Sequence, residues 1–368
     1  MPWLDLLPSR LVGGFEGSTM VLTGGERVDS AAGNRHDLDY EKDYDLLSSV
    51  GVRAVRESLR WYRIERRPGK YDASEFVKRL RALQARGMRA IWSLTQFGLP
   101  DWLDIWSSEF PEIFAAYARF AGETFRAESD AVPIWSPINE ISYWCWASAK
   151  ARIFAPAATG RVNELKRQLV AAAVAASRAL RAVDARARLV HVEPLLNVVR
   201  RRPPTAIDPQ ALEGAGVFEA WDMLSGRREP ALGGATELLD IVGVNFYPDN
   251  QRFLDGSMVP FGHPCFVPFH KLAGMVAARY GRPLLVSETG TEGPAESDWL
   301  RYMAAEVGKA ASSLPFVGFC LYPVIDYPGW IDKRHCRCGL IACDPGWSIR
   351  RLRSKTTAIL GDVGTLLG

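Results

Sequence analysis

Short apolar runs alternate along the chain with longer stretches whose apolar residues recur every three or four positions. The first kind predicts buried strands and the second amphipathic helices lying over them. A strand is expected at 10–15, then, after a long polar loop, a helix at 38–50 that carries Leu38, Tyr44, Leu46, Leu47 and Val50 and is stopped by Gly51. Strand 52–59 follows, then helix 75–86 with Phe76, Val77, Leu80 and Leu83 on one face and Gly87 as its C-cap. The alternation continues through strand 88–94, helix 110–126, strand 132–138, the alanine-rich helix 164–183 and strand 187–192. It ends with helix 211–224, strand 239–246, helix 271–280, strand 283–287, helix 295–311, strand 316–321 and a last helix at 348–360.

Eight strands, each followed by a helix and with no linker between them, predict an α/β fold of one kind, a single (β/α)8 TIM barrel occupying 1–368 as one domain. The competitor is a doubly wound sheet. Its dinucleotide fingerprint is missing, because the one glycine cluster, Gly13-Gly14-Phe15-Glu16-Gly17, has the wrong spacing.

In such a barrel the reactive side chains come from the C-terminal ends of several strands. The apolar run Ile134-Trp135-Ser136-Pro137-Ile138 leads straight into Asn139-Glu140, and Pro283-Leu284-Leu285-Val286-Ser287 leads into Glu288. A strand has no use for these polar groups unless its end opens into a site, and two such carboxyls are the minimum equipment for hydrolysing a glycosidic bond. The same dipeptide at Asn163-Glu164 opens an amphipathic helix and reads as a solvated turn. Other strands end in Arg56 and Glu57, Gln96, Glu193, Asn245 and Tyr247, and Tyr322 and Asp326. Glu193 reads as the structural partner of a nearby Arg or His. Glu16 either touches substrate or holds the first loop.

Composition narrows the picture further. Nearly half the residues are apolar and about a quarter charged, with a net charge of only +3, which argues for no nucleic-acid or membrane partner. No apolar run is long enough to span a bilayer, and the N-terminus lacks a basic head followed by an apolar segment. Six irregularly placed cysteines suit free thiols in a reducing compartment, so a cytoplasmic location is expected. His335-Cys336-Arg337-Cys338 with Cys343 does not have a usual zinc spacing and reads as buried thiols, while His36, His191, His263 and His270 show no ligand spacing. Arg200-Arg201-Arg202 reads as a solvated loop. The 12 tryptophans, several near strand ends and Trp330 among them, can stack on sugar rings or simply fill core.

Five segments in order then carry a family resemblance: Tyr44 to Ile64 with Val55-Arg56-Glu57-Ser58; Trp135 to Glu140; Asp240 to Tyr247; Ser287-Glu288-Thr289-Gly290; and Gly318 to Trp330 with Arg337-Cys338-Gly339-Leu340 and Asp344. Together they resemble glycoside hydrolase family 1, the β-glucosidase family, within the clan of retaining barrel glycosidases. The resemblance implies Glu140 as acid/base and Glu288 as nucleophile, with Arg56 and Tyr247 beside the nucleophile and Asn139 on the sugar 2-hydroxyl. It also implies substrate-facing roles for Gln96, Asn245, Tyr322, Glu16 and Trp330. The carboxyls of a retaining pair should stand about 5–5.5 Å apart. No metal or organic cofactor is needed, and the expected partner is a small carbohydrate or glycoside.

The departures from the family bear on the sugar. Gly14 stands where the family has a glutamine, and Gln96-Phe97-Gly98-Leu99-Pro100 replaces a His-Trp-Asp-Leu-Pro segment. Tyr322 replaces a tryptophan, and Gly329 the acid that holds distal hydroxyls. The machinery is kept while the −1 subsite is altered. Hydrolysis is therefore the leading expectation, with transglycosylation on the same residues and sugar binding without catalysis as alternatives.

Overall fold

The computed structural model describes residues 6–199 and 216–367. Among them, the eight apolar runs form one closed parallel barrel in chain order: β1 (Leu11–Gly14), β2 (Ala54–Ser58), β3 (Arg89–Thr95), β4 (Ile134–Ile138), β5 (Arg188–Pro194), β6 (Ile241–Asn245), β7 (Leu284–Thr289) and β8 (Phe316–Leu321). The barrel closes where β8 pairs with β1, Val12 opposite Cys320. Val12, Ala54, Ile91, Ile134, Ile241 and Leu285 point inward as one apolar cluster, and Leu6 and Leu7 pack into it. The alternate side chains of each strand pack outward against the helices, because successive residues of a strand face opposite ways.

The helical shell comprises α1 (His36–Ser49), α2 (Ser74–Ala85), α3 (Phe110–Glu128), α4 (Ile141–Ala149), α5 (Val162–Val183), α6 (Glu219–Leu224), α7 (Phe269–Tyr280), α8 (Glu296–Ala311) and α9 (Ser354–Leu367). Most bounds lie within a few residues of those expected, with three differences. Helix α4 was not expected, since its sequence is apolar nearly all round and shows no polar face to give a period. The last helix begins at Ser354 because Arg350–Leu352 instead pairs antiparallel with Ile341–Cys343. Of the helix expected at 211–224, only Glu219–Leu224 is found as helix, and 211–215 fall outside the described residues, as does Arg200-Arg201-Arg202. No helix among the described residues is long and apolar enough to cross a membrane.

Strand β2 shows how one strand serves both the site and the scaffold. Arg56 points inward, and Glu57 points outward into a buried ionic cluster. Glu57 accepts from Arg79 of α2 at 2.7 Å, lies 2.9 Å from His36 Nε2 of α1, and also accepts from the Tyr44 hydroxyl. On its other side His36 Nδ1 meets Asp43 at 2.8 Å, and Asp43 takes the Arg350 guanidinium at 2.6 Å. His36, without ligand spacing in the sequence, is thus the link between two buried acids.

Burial alone would raise the Glu57 carboxyl, but the charges of His36 and Arg79 outweigh it and hold it at about 2, below its ordinary 4.5. The stability this contributes is present above pH ~4.5 and is lost as the pH falls toward 2. Burial pushes His36 down, yet Glu57 and Asp43 raise it above 6.5, so its contribution is complete below pH 6.5 and fades as the pH rises through the raised value. Arg79→Met leaves Glu57 buried without its guanidinium. It should cost about 3–5 kcal/mol in denaturant unfolding at neutral pH, and a loss below ~1 kcal/mol would contradict the structure.

Candidate active site

Strand β4 delivers the first carboxyl. After Ile138 the chain stays tied to both neighbouring strands, Asn139 N–H donating to Thr95 O at 3.1 Å and Glu140 N–H to Val192 O at 3.0 Å. Glu140 then takes φ 46° and ψ 66°, a left-handed conformation rare outside glycine, and the chain turns into α4. Its side chain is steered from β6, where Asn245 Nδ2 donates to Glu140 Oε1 at 2.8 Å. Asn245 is fixed in turn by the Ser287 hydroxyl, which donates to its Oδ1 at 2.7 Å.

Strand β7 delivers the second carboxyl. Asn245 of β6 is the register partner of Glu288. The Tyr247 hydroxyl, just past β6, donates to Glu288 Oε2 at 2.8 Å, and Arg56 donates to Oε1. The other arm of the Arg56 guanidinium donates to Asn139 Oδ1. One buried cation therefore orients residues from two other strands. Because the Asn139 oxygen is taken, its Nδ2 is left as a buried donor with no acceptor among the described residues.

Both carboxyls line one cavity of about 680 Å³ at the C-terminal end of the barrel. Of the other residues expected at the site, Glu16, Gln96, Asn139, Tyr247, Tyr322 and Trp330 line the same cavity. Arg56 and Asn245 stand behind it and act through their bonds to the carboxyls and Asn139. A second concavity, of about 400 Å³, lies at the opposite end beside Met88, Arg89 and Val132 and gathers none of these groups. Glu164 of the control dipeptide is on the surface, paired with Arg161.

The floor of the cavity is built from the ends of several strands. The Tyr322 ring fills the place above Gly14, where an added Cβ would lie 2.2 Å from Tyr322 Cδ2 and 2.8 Å from Cys320 Sγ. The Tyr322 hydroxyl and the Gln96 amide bond each other, with Gln96 Nε2 donating at 2.8 Å. Ser58 donates to Gln96 Oε1 at 3.1 Å. Glu16 accepts the Ser18 N–H at 3.0 Å in the first loop and also lines the cavity.

The wall is aromatic. Phe97 and Tyr143 flank Trp330 with ring centroids 6.1 and 6.4 Å away, a surface suited to the apolar face of a sugar ring. Tyr143 and its neighbour Trp146 sit on the unexpected α4; sequence reasoning missed Tyr143 and had Trp146 only among the tryptophans near strand ends. The signal available was the run of three aromatic residues, Tyr143, Trp144 and Trp146, directly after Glu140.

Three rim acids have other surroundings than expected. Among the described residues Glu193 bonds no Arg or His. Facing outward from β5, it accepts the Ser142 N–H at the start of α4 with both oxygens, at 3.0 and 3.3 Å. Asp326 does not face the cavity. It receives Arg353 at 2.8 Å and the N–H groups of Cys338, Gly339 and Cys343 at 3.1 Å, which anchors the loop that carries Trp330. Glu57 lies on the outward face of β2, as described above. Cys336 and Cys338 are buried and Cys343 is half-buried, all as free thiols.

Burial chiefly, and then the charge of Glu288, raise Glu140 well above an ordinary glutamate, against the lowering hydrogen bond from Asn245. Burial likewise takes Glu16 to about 7, with Ser18 opposing and Glu288 adding to the rise. The arrangement holds one carboxyl whose hold on its proton is strengthened by burial and, on the same cavity, a second carboxyl bonded by a guanidinium and a phenol.

A parallel barrel with two carboxyls at the ends of β4 and β7 defines a class, the (β/α)8 barrels with an acid pair at one rim. A model of glycosyl hydrolase family 1 matches residues 16–224, more than half of the chain, and the chain belongs to that family. The family 1 β-glucosidase from Thermotoga maritima superposes with a TM-score of 0.78 at 16% identity, covering 98% of each chain. The same enzyme in complex with galacto-hydroximolactam gives 0.79 at 17% identity, again covering 98% of each chain. The β-glycosidase from the hyperthermophile Thermosphaera aggregans gives 0.78 at 16% identity, covering 98% of this chain and 96% of that one. At these identities the likeness is one of fold.

Overpacking beneath the floor is directly testable. Gly14→Ala should lower stability by about 1–3 kcal/mol, because its methyl group meets the Tyr322 ring. In a Tyr322→Ala background the same change should cost much less, and equal costs in both backgrounds would contradict the packing described.

Proposed function

We propose that the protein is a retaining β-glycosidase that cleaves a glycosidic bond by double displacement. The observation that carries this reading is the pair of buried carboxyls on one cavity, Glu140 steered by Asn245 and Glu288 held by Arg56 and Tyr247. Glu288 attacks the anomeric carbon and forms an ester bond as the carbon–oxygen bond to the aglycone breaks. Glu140 gives its proton to the departing oxygen. Once Glu288 is an ester its charge is gone, so the Glu140 carboxylate is no longer disfavoured and can take a proton from the incoming water. That water releases the sugar with its original anomeric configuration and restores both groups.

Arg56 supplies the counter-charge to Glu288, and Tyr247 fixes the plane of its carboxyl. Asn139, its oxygen engaged by Arg56, presents its amide N–H to the sugar 2-hydroxyl, a contact that strengthens in the transition state. The β-glucosidases of like fold support glycosides as the substrate class. The floor of Gly14, Gln96 and Tyr322, read as departures from the family's pattern, supports a glycone other than plain glucose or galactose.

A panel of aryl β-glycosides with different sugars tests the reading. The wild type should release the phenol with at least one sugar, and Glu288→Gln should fall to background. Glu140→Gln should lose about 10²–10⁴-fold on a poor leaving group. Wild-type activity should fall on the alkaline side, as the pH rises through the raised value of Glu140. Full activity in Glu288→Gln would refute the assignment. Product formed only when alcohol acceptors are added would favour transglycosylation.

A further inference from the structure

Glu193 is a third buried carboxyl at the rim, and double displacement has no step for it. Alternation along β5 sends Val192 into the barrel and Glu193 outward, under the first turn of α4. That turn lacks a cap of its own, because the Glu140 side chain, at the N-cap position, is turned toward Asn245. An uncapped first-turn N–H would be an unsatisfied donor, and Glu193 satisfies it from another strand through Ser142 N–H at 3.0 and 3.3 Å. The preceding residue, Val192, accepts the Glu140 N–H through its carbonyl at 3.0 Å. The dipeptide Val192-Glu193 thus holds the backbone on both sides of Glu140. Glu140 itself sits at φ 46°, a conformation a non-glycine residue keeps only where its surroundings over-determine it.

We propose that Glu193 is the positioning residue for Glu140: through Ser142 it locks the left-handed turn that aims the Glu140 carboxyl at the leaving-group oxygen. The inference rests on the glycosidase reading and deepens it. Besides Glu140, the titratable groups around Glu193 are Lys166 of α5 and Cys145 of α4. Burial brings Glu193 to about 7, with the Ser142 N–H and Lys166 opposing. Its charge therefore grows around neutral pH, where it adds to that of Glu288 in opposing ionisation of Glu140. The carboxyl touches no reacting atom in this scheme and acts only through Glu140.

The test compares wild type, Glu193→Gln and Glu193→Asp on aryl β-glycosides ranging from dinitrophenyl to phenyl leaving groups. A good leaving group needs no acid, so kcat/KM for the dinitrophenyl substrate should stay within about threefold of wild type in Glu193→Gln, while the phenyl substrate loses about tenfold or more. The alkaline limb should move to lower pH in Glu193→Gln. Glu193→Asp keeps the acceptor and the charge, and should recover part of the loss. An equal fall across all leaving groups would mark Glu193 as merely structural, and no fall at all would also overturn the proposal. A readout independent of turnover is the titration of Glu140 followed by carboxyl ¹³C NMR, which should shift to lower pH in Glu193→Gln. An unchanged titration overturns the proposal even if wild type cleaves none of the glycosides, an outcome that would count against the glycosidase reading instead.

Discussion

Arg56 is fully buried at the centre of the barrel's C-terminal end, and its guanidinium holds Glu288 of β7 with one arm and Asn139 beyond β4 with the other. A charge so enclosed is tolerable only when it is paired and hydrogen-bonded, so the fork fixes more than its own place. It needs a carboxylate on one side and an amide oxygen on the other, and it obtains them from strands three and two places away around the barrel. Lysine could not replace it, since a single ammonium lacks the two-armed planar geometry. The free Asn139 amide N–H and the orientation of the Glu288 carboxyl both follow from this one side chain.

The period of two along each strand then divides the work. On β2 it sends Arg56 to the site and Glu57 to the ionic cluster joining α1 and α2. On β5 it sends Val192 to the core and Glu193 to the start of α4. Glu57 and Glu193 are adjacent to functional or core positions in the chain yet face the helical shell. One is held at about 2 by cations, while the other rises to about 7 where only N–H donors and a more distant lysine oppose burial. The same residue type is therefore shifted in opposite directions on two strands of one barrel, and the partners decide which.

Much of this was legible in the chain. Apolar runs that end in polar residues give the strands and the rim they share, because a strand interior excludes such groups; Asn139, Glu140, Asn245 and Glu288 were found that way. Orientation was harder to read, since it depends on which face of the strand a residue takes. Glu57 and Asp326 fall at strand ends but turn away from the cavity, and Glu193 found backbone donors where a cation was expected. Helix α4 was invisible because its surroundings bury nearly every side and leave no polar stripe. The relation of Gly14 to Tyr322, some three hundred residues apart, shows only once β1 and β8 are side by side.

That relation also ties the floor of the cavity together. A small residue on β1 admits a large ring from beyond β8, and the ring's hydroxyl engages Gln96 from beyond β3. These residues support one another, and the Tyr322 ring lies beside the Arg56 guanidinium, whose central carbon is 5.5 Å from the ring centroid. The most direct test of the account is to trap the sugar on the enzyme with an activated 2-deoxy-2-fluoro glycoside and map the labelled peptide by mass spectrometry. The account predicts one added glycosyl unit, attached to Glu288. A label on another residue, or efficient cleavage of a matched substrate with inversion at the anomeric carbon, would contradict it.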